Sequence, residues 1–140
     1  MDPDILRRKL ESLALCVTRI ESKTPADADL LASDLDAQDI IVLNLERAVQ
    51  LCVDLATHLL PDFSIPAPET MAGALLALGK VQVLDRVLAE RLARAVSFRN
   101  LAVHEYENLD WSVVYTIITT RLDDFRLFAA ALQAYSRAKA

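Results

Sequence analysis

Long stretches of this chain contain nothing that stops a helix. Only two glycines, Gly73 and Gly79, occur in 140 residues, and the five prolines, Pro3, Pro25, Pro61, Pro66 and Pro68, stand at the start of the chain or in connections. A sheet with many reversals needs glycine and proline at its turns, so this distribution argues for long, uninterrupted helices. Between the prolines, apolar residues recur at three- and four-residue steps, the spacing of one buried helical face.

Asp2-Pro3 predicts a helix start, with an acceptor at the cap and proline where its missing N–H is harmless. That helix should run to about Ser22, burying Ile5, Leu6, Leu10, Leu13, Val17 and Ile20. Asp27 to Ser33 reads as a short helical turn or loop, and Ser33-Asp34-Leu35-Asp36 offers caps for a second long helix to about Leu60. Its core side would carry Ile40, Ile41, Leu45, Ala48, Leu51, Cys52, Leu55 and Leu59; Glu46, Arg47, Gln50, Asp54 and His58 lie on or at the edge of the other side. Pro68-Glu69-Thr70 begins a short helix that Gly79 can terminate. Asp85 caps the next, and Asn108-Leu109-Asp110 turns into a last helix from Trp111 to about Ala138. The expectation is an all-α antiparallel bundle of four long helices plus one or two short ones, forming one domain over residues 1–140. A hydrophobic share of 54% leaves apolar surface for a second copy, so a homodimer is expected.

A net charge of −5 speaks against a protein that grips nucleic acid through overall positive charge, and no DNA partner is expected. The charge is unevenly spread. Lys80, Arg86, Arg91, Arg94 and Arg99 face only Asp85 and Glu90, whereas Glu105 to Asp124 is mostly acidic. Cys16 and Cys52 are isolated in apolar helical stretches and read as reduced core residues. No signal-like leader opens the chain and no apolar run approaches the ~20 residues that span a bilayer. A cytoplasmic protein with no membrane partner is the expectation.

The stretch Arg99-Asn100-Leu101-Ala102-Val103-His104-Glu105-Tyr106 closes the helix begun at Asp85. Arg99 falls within the apolar stripe of Leu88, Leu92, Val96 and Val103. An arginine there must be paired or face a crevice. Tyr106, seven residues on, should lie two turns away on the same side, and Asn100 and His104 are one turn apart. His104 would lie well round the cylinder from Arg99 unless the long side chain reached across or the helix loosened. His58, one turn from Asp54, reads either as a surface pair near a helix end or as support for a cleft.

No glycine-rich phosphate loop, HExxH, GxSxG or His/Cys metal spacing is present, and the carboxylates do not form a paired inward set. What remains is a site without metal or cofactor: Arg99, Asn100, His104 and Tyr106. Such a set suits cleavage of RNA by its own 2′-hydroxyl. Histidine exchanges a proton with that hydroxyl or with the leaving 5′-oxygen, arginine holds the phosphate, and Asn100 orients the ring or binds a non-bridging oxygen. One chain offers one suitable histidine, and a two-fold dimer with two motifs across one cleft would supply both base and acid. By spacing alone, the favoured reading is a buried arginine satisfied by a carboxylate, with His104 near a helix end.

The string RNLAVHEY resembles the RxxxxHxY signature of the HEPN superfamily in the form carried by HepT-like toxins, and the helix order around it is similar over essentially the whole chain. The resemblance implies a homodimeric helical bundle and a metal-independent endoribonuclease, acting on transfer or messenger RNA, in which Arg99 and His104 match the catalytic pair. Asn100 matches the polar residue usual after the arginine. It also implies a type VII-like toxin–antitoxin system, with a minimal nucleotidyltransferase antitoxin that can transfer AMP to the tyrosine matched by Tyr106. The alternative is a non-catalytic dimeric partner, or substrate-presenting subunit, of a nucleotidyltransferase; the acidic pI favours it, and the intact Arg99/His104 pair favours the enzyme.

Overall fold

Short acceptor side chains set most of the helix starts. In the computed structural model, which describes residues 1–139, Asp2 accepts from the Asp4 amide at 2.8 Å and opens α1 (Pro3–Lys23). Asp27 accepts from Leu30 to open α2 (Ala28–Ser33), and Asp34 from Ala37 to open α3 (Leu35–Leu59). A 3₁₀ turn over Leu60–Asp62 follows. Thr70 caps α4 (Met71–Lys80), and Asp85 caps α5 (Arg86–His104) through the Val87 and Leu88 amides. A second 3₁₀ turn, Tyr106–Asn108, leads to Asp110, the cap of α6 (Trp111–Thr120), and α7 (Asp123–Lys139) closes the described chain. Each such cap satisfies an amide that the first helical turn leaves unpaired, worth ~1 kcal/mol where it is shielded from water.

The long helices run antiparallel to their neighbours. Lys9 near the start of α1 lies 3.7 Å from Asp54 near the end of α3, and Glu21 at the end of α1 accepts from Arg126 at the start of α7 at 2.6 Å. Val42 early in α3 packs with Ala102 late in α5. One continuous core, including Ile20, Leu31, Ile41, Leu55, Leu75, Leu78, Phe128 and Leu132, fills the bundle. A smaller second core of Val42, Ala102 and Leu109, with Phe98, Tyr106 and Trp111 around it, sits at the end of α5. It fixes where the motif lies. Among the described residues no helix is long and apolar enough to cross a membrane.

Three local expectations are corrected. The single helix expected from Trp111 to about Ala138 breaks at Arg121, whose φ of −123° and ψ of 0° end α6. The hydroxyls of Thr116 and Thr119 turn back onto the Ser112 and Tyr115 carbonyls at 3.0 and 2.7 Å, and this β-branched, back-bonded run weakens the helix just where Asp123 and Asp124 can start a new one. Gly79 does not end α4; Gln82, at φ 64°, makes the left-handed turn. A Cβ on Gly79 would stand 2.9 Å from the Ala89 Cβ, so this glycine lets α4 and α5 approach. Val103 is 45% exposed, and Ala102 is the buried residue of that turn.

Candidate active site

Arg99 projects from α5 toward α3, half-buried, and its partners are neutral. Nη2 donates to Oε1 of Gln50 at 3.3 Å, and Nη1 donates to Oδ1 of Asn100 at 3.2 Å. Gln50 in turn donates to Oδ1 of Asp54 at 2.8 Å, so the nearest carboxylate in this chain of contacts is one amide removed from the guanidinium. Nε of Arg99 is buried and has no hydrogen-bond partner. Two turns earlier, Arg91 donates from Nε to Oδ1 of Asp124 at 3.1 Å, forming a largely buried ion pair. One helix therefore carries a neutralised arginine and a second that no carboxylate neutralises. A partly desolvated cation held by amides retains most of its attraction for an anion, and a guanidinium fits phosphate oxygens with two parallel hydrogen bonds.

His104 is the last residue of α5 and is exposed; Glu105 ends the helix with its amide on the Leu101 carbonyl at 2.7 Å. The helix stays regular to that point. Five residues of α-helix separate the two side chains by roughly 140° and about 7.5 Å of rise, and Arg99 leans onto α3. The loosening considered from the sequence does not occur, and Arg99 hydrogen-bonds to Gln50 and Asn100 rather than to His104. Asn100 is exposed, and its Oδ1 is engaged by Arg99 rather than by the His104 ring.

Tyr106 lies outside the helix, which corrects its expected place two turns from Arg99 on the same side. Its hydroxyl donates to Oδ1 of Asp39 on α3 at 2.5 Å, and its ring meets Trp111 edge-on with centroids 5.9 Å apart. Burial of the ring, then the Asp39 hydrogen bond, then the charges of Asp39 and Glu46 push its ionisation well above the ordinary tyrosine range. The phenol is held protonated.

Sequence reasoning placed Gln50 and Asp54 at the outer edge of α3 and passed over Asp39. Gln50 and Asp39 join the motif across 49 and 67 residues, and no local pattern carries such a pairing. Asp54 serves Gln50 and Lys9 rather than His58, which is exposed. Cys16 and Cys52 are free and buried as expected, and burial pushes both thiols up. Among the described residues no group of three or more His, Cys, Asp or Glu is placed to hold a metal ion.

Comparison with known proteins gives this arrangement a context. The family model described as "Ribonuclease HepT-like" matches residues 13–132. An mRNA nuclease HepT of Shewanella oneidensis is 28% identical over 131 residues, covering 94% of this chain and 98% of that protein. A tRNA nuclease HepT of Aphanizomenon flos-aquae is 26% identical over 135 residues, covering 96% and 92%. Among solved structures, the tri-AMPylated Shewanella oneidensis HEPN toxin in complex with MNT antitoxin superposes with a TM-score of 0.87 at 28% identity, covering 96% of this chain and 99% of that one.

Proposed function

The chain belongs to the HepT-like ribonuclease family, and from that premise we propose that it is the toxin of a toxin–antitoxin pair: an endoribonuclease that cuts messenger or transfer RNA in the cytoplasm. It acts as a homodimer of a single helical domain, residues 1–140. Arg99 and His104 are its catalytic pair. Arg99 binds the scissile phosphate by two hydrogen bonds and takes up the charge that grows on its oxygens. A His104 imidazole removes the 2′-hydroxyl proton as that oxygen attacks phosphorus, and the second subunit's copy protonates the departing 5′-oxygen. Asn100 keeps the guanidinium turned toward the phosphate.

The observation that carries this reading is that Arg99 has amides for partners and no carboxylate, while Arg91 on the same helix is paired. Half-buried, with its Nε unpartnered and no countercharge, Arg99 keeps its attraction for an anion. The dimer is supported by the exposure of Leu43, Leu101 and Val103 on the helices that carry the site.

The antitoxin in this reading is a nucleotidyltransferase that modifies Tyr106 with AMP, as the tri-AMPylated state of the Shewanella toxin suggests. AMP on the turn that follows His104 would occupy the ground an RNA phosphate must reach. Incubation of the purified protein with total RNA in excess chelator tests the nuclease. Cleavage that disappears in both Arg99→Ala and His104→Ala, with folding retained, is expected. Cleavage that persists in either variant overturns the assignment. A net charge of −5 favours one other reading, a non-catalytic dimeric partner of the nucleotidyltransferase, which predicts no cleavage at all.

A further inference from the structure

Tyr106 is parked against a carboxylate, although both residues reach the surface. Its Oη stands 2.5 Å from Oδ1 of Asp39, Trp111 braces the ring from α6, and Val42, Ala102, Leu109 and Phe98 pack around it. The charged groups that bear on the hydroxyl are Asp39 and Glu46, both on α3; the residues packed on the ring do not titrate. An exposed contact of this kind adds little to stability, as solvent-screened charges generally do. What it does is aim a proton acceptor along the O–H bond of one chosen phenol.

A phenol attacks phosphorus poorly while it keeps its proton, and an ordinary tyrosine, with pKa about 10, holds little phenolate at neutral pH. Here the burial of the ring, and then the contact with Asp39, make a preformed phenolate scarcer still. The route left is attack with the proton departing as the new bond forms. As oxygen gives its electrons to phosphorus its proton becomes strongly acidic, and the existing hydrogen bond carries it to the carboxylate.

Resting on the reading of Tyr106 as the AMP acceptor, we propose that Asp39 is the general base of that transfer, supplied by the acceptor chain itself. The donor is ATP with its divalent cation, brought by the nucleotidyltransferase. Oη of Tyr106 bonds to the α-phosphorus, the bond from that phosphorus to the bridging oxygen breaks, pyrophosphate leaves with the electron pair, and the tyrosine proton passes to Asp39 and then to water. With the proton gone Tyr106 can no longer donate to Asp39. The new phosphodiester anion then stands beside Asp39 and Glu46, which favours its moving off α3.

The test follows AMP incorporation into the full chain by its nucleotidyltransferase with ATP and magnesium, by intact mass with the site mapped by peptide. Tyr106→Phe should accept no AMP at this position. Asp39→Asn should lose about a hundredfold in kcat with KM for ATP changed by no more than about twofold, and Asp39→Glu should recover part of the rate. The Asp39→Asn rate should climb with pH as hydroxide replaces the base, while the unaltered chain stays flat from about pH 6 to 9, above the ordinary carboxylate range. Asp39→Asn at the unaltered rate overturns the proposal. Should that variant not fold, the unaltered chain decides alone: a flat profile supports Asp39, and a rate rising tenfold per pH unit overturns it. If the unaltered chain takes AMP elsewhere than Tyr106, the acceptor reading itself fails and this role falls with it.

Discussion

The guanidinium of Arg99 rests on the side-chain oxygen of Gln50 at 3.3 Å, a neutral acceptor in the place where a carboxylate would cancel its charge. If that neutrality keeps the arginine available for a phosphate, converting the acceptor to an acid should do more harm than deleting it. Gln50→Ala should lower kcat/KM for RNA cleavage by about tenfold, through lost orientation, and Gln50→Glu by about a hundredfold, because a charged partner competes with the substrate. Kinetics on a defined RNA would check the order; Gln50→Glu at or above the Gln50→Ala rate would contradict it.

Arg91 and Asp124 meet at 3.1 Å with only 26% and 12% of their side chains exposed. Removing one partner strands the other charge. Asp124→Ala should cost ~2–3 kcal/mol in urea unfolding, and adding Arg91→Met to it should return part of the loss. An additive double variant would deny the coupling.

Gly79→Ala removes helix-disfavouring freedom worth about 1 kcal/mol but drives a methyl into the Ala89 Cβ, which is rigidly attached to α5. The clash should win. Net destabilisation of ~1 kcal/mol or more is expected in a thermal or urea melt, and a stabilised variant would show that the two helices can part cheaply.

The folded chain holds the Tyr106 proton more tightly than an unfolded chain does. Its contribution to stability is therefore complete below the ordinary tyrosine range, about pH 10, and is lost as pH rises beyond it. Ultraviolet titration of the unaltered chain minus Tyr106→Phe should show a phenol ionising above that range, and Asp39→Asn should bring it down. A difference curve centred on the ordinary range would contradict the Asp39 contact.

Much of the fold was legible because its signals are local. Asp2, Asp34, Asp85 and Asp110 announce helix starts by residue type, and apolar spacing announces the buried faces of α1 and α3. The break at Arg121 was missed because the apolar period runs on through it, while the competing threonine hydroxyls act on backbone carbonyls that periodicity does not count. Gly79 was misread since a glycine near a helix end looks alike whether it turns the chain or admits a neighbour. Of the site, Arg99 and His104 stood out as a motif. Gln50 and Asp39 did not, because a polar residue at the edge of a helix carries no mark of what will fold against it from 49 or 67 residues away. Tyr106 was misplaced by extending a helix that ends two residues earlier.

Two copies sharing one site is the central claim, and mixing subunits tests it most directly. Unaltered chain and His104→Ala chain, unfolded together and refolded in varying proportion, should give RNA cleavage that falls as the square of the unaltered fraction. Each working groove needs both imidazoles. Cleavage falling in direct proportion to that fraction would mean that every subunit works alone, and the shared groove would be wrong.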